Sequence, residues 1–223
     1  MLLTIEKFLT ADEVARLLGL AESGVFVDGR ATAGAKLREV KKNEQLRPSE
    51  QDARTLHQVL SPAMERSEAF QTFAWPKRVR PPYLSRYTAG MEYGDHIDAP
   101  ILGRRDPMRS DLSMTLFLSD PESYEGGELV LEAPFESPSI KLAAGDAVVY
   151  STSLRHRVNP VTRGQRIAIV TWIQSLVKSQ EQRQVLYDLA KARSGIMSQL
   201  PRGPETELLL QAQTNLLKMW AEV

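Results

Sequence analysis

Three histidines, at positions 57, 96 and 156, are the entire imidazole supply of this 223-residue chain. Two of them stand where they can do chemistry. In Asp95-His96-Ile97-Asp98 an imidazole and a carboxylate are two residues apart. In extended backbone such residues project to one face, so both can reach one cation. His156 lies in Leu154-Arg155-His156-Arg157-Val158, and Arg166 follows ten residues later. Two imidazoles and a carboxylate form a mixed nitrogen and oxygen donor set with open positions, the arrangement of non-heme Fe(II) oxygenases. The rigid fork of Arg166 suits bidentate pairing with a carboxylate of a co-substrate bound beside such a metal. His-x-Asp alone is weak, because a surface hydrogen-bonded pair has the same spelling; the combination with His156 and Arg166 is what distinguishes it.

Composition narrows the alternatives. With no cysteine, disulfides, thiolate zinc sites, iron–sulfur clusters and cysteine nucleophiles are excluded. Any metal must be held by His, Asp and Glu. The 28 Lys and Arg balance 28 Asp and Glu, so there is no overall positive field for a phosphate backbone or an anionic membrane, and neither is expected as a partner. The opening MLLTIEKFLTADEV lacks a cationic leader with an apolar core, and no apolar run approaches the ~18 residues of a membrane span. A soluble cytoplasmic protein is expected.

The elements that must position these residues show in the changes of period. Leu9-Thr10-Ala11-Asp12-Glu13-Val14 has the form of a capped helix start, with Thr10 and Glu13 as a capping box and Leu9 packing on Val14. A helix to about residue 20 follows, then a turn-rich stretch over 27–34. Another helix is expected over 50–60, with Ser61-Pro62 capping a short successor, so the chain is expected to be mostly helical up to about residue 71. From residue 81 short runs of alternating or β-branched character take over, at 83–87, 111–118, 128–131, 140–142, 147–150 and 166–174, separated by Gly, Pro, Asn and Asp turns. In the clearest, Leu112, Met114, Leu116 and Leu118 share one face and Ser113, Thr115 and Phe117 the other. Strands at this spacing favour an antiparallel sandwich or jelly roll. Helix returns at 179–192 and at 204–220, where Leu209, Ala212, Leu216, Leu217 and Trp220 form a stripe. The chain divides into an N-terminal helical segment (1–78), a β-core (79–176) and a C-terminal helical domain (177–223).

At this point the sequence resembles a known family. His96-x-Asp98, His156 and Arg166 occur in the order of the Fe(II)- and 2-oxoglutarate-dependent dioxygenases, and the strings RYTAGMEYGDHIDAP, DLSMTLFLSD, EGGELVLE, GDAVVYSTSLRHRV and GQRIAIVTWIQS are similar to the bacterial PKHD-type hydroxylases, of prolyl/lysyl hydroxylase domain type. VDGRATAG, VKKNEQL and the helical tail extend the resemblance to nearly the whole chain. It implies a double-stranded β-helix (jelly-roll) core with helical flanks. It also implies His96, Asp98 and His156 as the catalytic iron ligands and Arg166 on the distal carboxylate of 2-oxoglutarate. Fe(II), 2-oxoglutarate and O2 would then be required, with ascorbate as an auxiliary reductant, for hydroxylation coupled to decarboxylation of 2-oxoglutarate to succinate and CO2. Tyr87, nine residues before His96, corresponds to a tyrosine that touches 2-oxoglutarate in related prolyl hydroxylases. A second tyrosine of those relatives aligns with Phe117, which has no hydroxyl, so Thr115 on the same strand face is the substitute.

Other residues have plainer expectations. Arg155, Arg157 and Arg163 are expected as solvated charges, His57 as a bystander, and Gly126-Gly127 as a turn before a strand, since no Lys-Ser/Thr and helix follow. The 204–220 stripe is expected to pack on the core or on a second subunit, and a homo-oligomer is expected. The substrate is open between a small molecule and a protein side chain. Two other functions stay beside the oxygenase: a cupin-like metal enzyme that does not use 2-oxoglutarate, and a non-catalytic metal-binding β-sandwich module.

Overall fold

The computed structural model describes residues 1–34, 37–133, 137–199 and 203–223. In chain order the strands are β1 (Leu2–Ile5), β2 (Phe26–Asp28), β3 (Lys41–Lys42), β4 (Glu44–Leu46), β5 (Pro76–Val79), β6 (Tyr83–Thr88), β7 (Glu92–His96), β8 (Ile101–Leu102) and β9 (Met108–Arg109). There follow β10 (Leu112–Phe117), β11 (Glu125–Gly126), β12 (Leu129–Leu131), β13 (Ser139–Ile140), β14 (Ala147–Ser151), β15 (His156–Val158), β16 (Val161–Arg163) and β17 (Gln165–Ser175). The helices are α1 (Ala11–Ser23), α2 (Glu50–Arg66), α3 (Glu68–Ala74), α4 (Gln180–Met197) and α5 (Pro204–Trp220).

β10 shows how the layers are built. All six of its residues are buried, because both faces are covered. Leu112, Met114 and Leu116 pack in one cluster with Leu17 of α1, Leu56 of α2 and Phe70 and Phe73 of α3. Ser113 and Thr115 turn the other way and line a cavity. Phe117, on that same face, joins a second cluster that draws Tyr87, Val148 and Tyr150 from one sheet and Leu129, Leu131, Ile140 and Val158 from another. The larger sheet runs β1-β14-β10-β17-β6-β4-β2, with β5 also on β17, and the smaller runs β13-β12-β15-β7-β3. Pairings in both are antiparallel. Two such sheets closed over a shared apolar filling, with helices on the outside of one, form the jelly-roll layout that the alternation predicted.

The helix signals hold where local chemistry decides them. Thr10 and Glu13 form the capping box that starts α1, Ser179 caps α4, and α5 spans its predicted limits. Two expectations need correction. The first 71 residues are not mostly helical in the simple sense, because β1, β2, β3 and β4 lie among them and enter both sheets. These strands are two to four residues long, too short to show a period, and they exist because partner strands supply their hydrogen bonds: β14 for β1, β4 for β2, β7 for β3 and β6 for β4. Nor does a new helix begin at Ser61-Pro62: α2 runs through Pro62 to Arg66, and Ser67 caps the next helix by accepting from the Phe70 N–H. A proline inside a helix costs roughly 3 kcal/mol, and burial of Val59, Leu60 and Ala63 around it offsets this.

The stripe on α5 is less covered than its pattern suggested. Leu209, Leu216, Leu217 and Trp220 are half-buried and Ala212 is exposed. The buried positions are Thr206 and Gln213, and the Gln213 amide donates to the Leu186 carbonyl of α4 at 3.3 Å.

The two-sided burial of β10 predicts that Met114→Ala, at a fully buried position, lowers unfolding free energy by roughly 2–5 kcal/mol. Leu208→Ala, at a position 64% exposed, is expected within about 0.5 kcal/mol of wild type. Urea denaturation of the two variants checks the contrast.

Candidate active site

The smaller sheet brings the two histidines together by register. β7 and β15 pair antiparallel with His96 opposite His156, and the next paired positions are Tyr93 and Val158. β7 therefore uses three residues where β15 uses two, a bulge that re-aims side chains at the strand end. Gly94 sits in that bulge, packed so closely on Val40 that a Cβ would lie 2.9 Å from the Val40 Cβ. Its carbonyl is 2.8 Å from His96 Nδ1, and the Leu154 carbonyl is 3.0 Å from His156 Nδ1. Each ring thus donates Nδ1–H to a carbonyl and keeps Nε2 as a lone-pair donor. Asp98, just past β7, brings its Oδ2 to 3.9 Å from His156 Nε2. Ligand atoms of His96, Asp98 and His156 all lie within 4.8 Å of one another.

Electrostatics favour a metal at this point. Burial, reinforced by the neighbouring His156, pushes His96 down to about 3, so the ring is neutral. Burial raises the Asp98 carboxyl above the usual carboxylate range, with His156 opposing. Asp98 Oδ2 is buried without a hydrogen-bond partner. Two imidazoles, that of His96 neutral, and an unsatisfied carboxylate oxygen, all converging, are the donor chemistry of a divalent cation held by nitrogen and oxygen. The stack of Tyr93 on His96, with ring centroids 3.7 Å apart, and the edge contact of Tyr150 with His156 fix the rings.

The larger sheet supplies the opposite wall. Arg166 on β17 pairs with Tyr87 on β6, and it is only 1% exposed. It forms no ion pair among the described residues, and its Nε has no hydrogen-bond partner. Aromatic faces hold it instead: Tyr87 at 5.2 Å and Phe117 at 5.4 Å from the guanidinium carbon. Gly127, at φ +70°, lets the preceding turn approach so closely that a Cβ would stand 3.0 Å from Arg166 Cδ. Arg166 shares a cavity of about 240 Å³ with the triad, Tyr87 and Thr115. Val170 and Trp172, in phase with Arg166 on β17, line it too, as the alternation required.

The structure brings His96, Asp98, His156, Arg166, Tyr87 and Thr115 into one cavity and leaves His57 on the wall of another. Arg155, Arg157 and Arg163 form exposed ion pairs with Asp95, Glu132 and Glu125. Sequence reasoning did not find Lys41, Ser113, Tyr124 or Tyr150 near the site. Ser113 had a signal, its place on the Thr115 face of β10. Tyr150 lies against Ser113 and Thr115, and Tyr124 against Arg166, so hydroxyls surround the space that Phe117 leaves without one. Both tyrosines come from distant sequence and carry no local mark of the site.

A jelly-roll core holding a His/Asp/His cluster opposite a buried arginine defines a class of metal-dependent oxygenase. Residues 82–174 match the model of the 2OG-Fe(II) oxygenase superfamily. A PKHD-type hydroxylase of Maricaulis maris (strain MCS10) is 46% identical over the full length of both chains. Among solved structures, a Pseudomonas putida prolyl-4-hydroxylase is similar with a TM-score of 0.58 at 20% identity, covering 78% of this chain and 92% of that one. A Trichoplax adhaerens prolyl hydroxylase in complex with a hypoxia inducible factor oxygen degradation domain peptide fragment gives 0.57 at 17% identity, covering 83% and 86%. The chain belongs to the PKHD-type hydroxylases within the 2OG-Fe(II) oxygenase superfamily. It is a 2-oxoglutarate-dependent dioxygenase, and its family's requirements are Fe(II), 2-oxoglutarate and O2.

The neutral burial of His96 has a measurable consequence in chelator-treated protein. The unfolded chain binds a proton at residue 96 near the ordinary histidine value of about 6.5, while the folded chain does so only near 3. Between these values the unfolded state binds more protons, so stability falls as pH drops from about 6.5 toward 3. The decline in urea midpoint should be shallower in His96→Phe; equal slopes in the two proteins would contradict the neutral, buried state.

Proposed function

We propose that His96, Asp98 and His156 are the Fe(II) ligands, that Arg166 receives the distal carboxylate of 2-oxoglutarate, and that Tyr87 and Thr115 line the co-substrate's place. The observation that carries this assignment is the pairing, in one small cavity, of a converging N/N/O donor set with a buried guanidinium that has no carboxylate partner among the described residues. A plain metal-binding module has no use for such a charge.

When bound, Fe(II) with 2-oxoglutarate and O2 supplies the oxidation that yields succinate, CO2 and a hydroxylated C–H carbon. The chain's own part is placement. The Gly94 and Leu154 carbonyls hold the imidazole tautomers, so both Nε2 atoms present lone pairs in the same direction. Asp98 contributes the negative charge. Arg166 orients a dicarboxylate end-on toward the triad, and its aromatic surroundings keep bulk water from competing for the guanidinium. The Val170 and Trp172 wall leaves an apolar flank for the carbon to be oxidised. Both a peptide side chain, as in the Trichoplax complex, and a free small molecule fit this general layout. The exposed Met219 and Val223 at the C-terminal end support a second copy of the chain as a partner. No helix among the described residues is long and apolar enough to cross a membrane, and the balanced charge supports neither a membrane nor a nucleic-acid role.

Anaerobic addition of Fe(II) and 2-oxoglutarate tests the assignment. Wild type should develop the weak visible charge-transfer band of the chelate, and His96→Ala and Asp98→Ala should not. A band that survives in those variants, or none in wild type, overturns the ligand assignment.

A further inference from the structure

Charge in the cavity is unbalanced. Its described lining contains three basic side chains, Lys41, Arg80 and Arg166, and a single carboxylate, Asp98; burial lowers Lys41 to about 8, which leaves it mostly charged at neutral pH. Fe(II) and doubly charged 2-oxoglutarate cancel each other, and Arg166 and Asp98 are engaged with them. Lys41 and Arg80 then remain with no counter-charge among the described residues that line the loaded site.

Lys41 is held deliberately. It lies on β3, whose pairing with β7 sets Lys41 opposite Tyr93, and the residue is 6% exposed. Its Nζ donates to Thr32 Oγ1 at 2.9 Å and lies 5.2 Å from the centre of the Tyr93 ring. Thr32 Oγ1 lies 2.6 Å from Gln45 Oε1 and 3.0 Å from the Gly29 carbonyl, so its single proton is directed to these acceptors and a lone pair is left for the ammonium. An ammonium has three donors, and one is engaged here. No carboxylate among the described residues comes within ion-pair distance, and the ones that act on it electrostatically, Asp98 and Asp28, do so from farther away. Among the described residues Arg80 has no carboxylate partner either. Its backbone is pinned by the Trp172 carbonyl and the Thr171 hydroxyl, while its guanidinium lies against Gly103, where a Cβ would come within 3.0 Å of Nη1. Lys41 and Arg166 touch different residues, Thr32 and Tyr93 for one, Tyr87 and Phe117 for the other. They are separate features of the wall, not one anion site.

A buried cation kept beside a site that also takes a metal is destabilising unless an anion arrives with it. We infer that the substrate hydroxylated here is anionic, and that a carboxylate of it is bound by Lys41 with Arg80 adding to the field. This rests on the assignment of the triad and Arg166 to Fe(II) and 2-oxoglutarate. The cavity of about 240 Å³ also takes the metal and 2-oxoglutarate, so the group that enters beside them is limited to a small acid or one acidic side chain.

The test is calorimetric titration, without oxygen, of enzyme already saturated with Fe(II) and 2-oxoglutarate. Two acids, glutarate and acetyl-aspartyl-amide, are compared with their uncharged matches, glutaramide and acetyl-asparaginyl-amide. At least one acid should bind saturably and its amide should not, and which acid binds shows whether a free acid or a peptide side chain is the source. Lys41→Met and Arg80→Gln should each weaken that binding tenfold or more, while the charge-transfer band forms at the same 2-oxoglutarate concentration as in wild type and persists through the titration. Arg80→Gln, at a less buried position, carries the test if Lys41→Met does not fold. No saturable binding of either acid, equal binding of acid and amide, or variants that bind as wild type does would overturn the inference. Failure of the band to form in wild type is a different result and strikes at the triad and Arg166 instead.

Discussion

A guanidinium buried to 1% exposure, with no carboxylate among the described residues to meet it, is the constraint around which this fold is arranged. Leaving a charge in that condition costs several kcal/mol, so the surrounding elements must hold it against the tendency to turn outward or recruit an acid. They do so by geometry. β17 is a long strand in the middle of the larger sheet, its backbone committed on both sides to β10 and β6, so the direction of residue 166 is set by the pleat. Tyr87 and Phe117 lie beneath the guanidinium, and the positive φ of Gly127 lets the adjoining turn close over it.

The smaller sheet answers with the opposite polarity. His96 and His156 meet across one register position, and the bulge at Gly94 aims Asp98 toward them. One sheet thus presents imidazole nitrogens with the Asp98 carboxylate just beyond its strand, the other a cation, and the filling between them mixes aromatic and aliphatic side chains. This division explains why a jelly roll serves such chemistry. Inward-facing residues of both sheets are within reach of one ligand, while the outer faces are free to carry the stabilising core, as the Leu112, Met114 and Leu116 face of β10 does against the helices.

Much of this was legible in the sequence because its signals are local. The alternation of β10 and β17, the Thr10 box and the two-residue spacing of His96 and Asp98 need no knowledge of the partner strand. The grouping of His96 with His156 came from the scarcity of histidine and was strengthened by the resemblance, while the register that sets the two opposite each other is not written in either short segment. What escaped was non-local. β1 to β4 are too short for a period, and their strand character comes from the sheets they join. Lys41 sits in a basic, polar string that has the look of an exposed loop, and it is buried only because β3 completes the smaller sheet beside β7. Tyr124 and Tyr150 are ordinary β-region tyrosines until the two sheets close. Pro62 misled for the opposite reason: a strong local breaker was overruled by the burial of its helix.

The central claim is that the uncompensated charge of Arg166 is reserved for the distal carboxylate of the co-substrate. It is tested most directly by comparing the affinity of the Fe(II)-loaded protein for 2-oxoglutarate and for 2-oxopentanoate, which keeps the metal-chelating end and lacks the distal carboxylate. Wild type should prefer 2-oxoglutarate by about a hundredfold or more, of the order of 3 kcal/mol for a desolvated charge pair, and Arg166→Met should bind the two within a few fold. Equal affinities in wild type, or an undiminished preference in Arg166→Met, would contradict it.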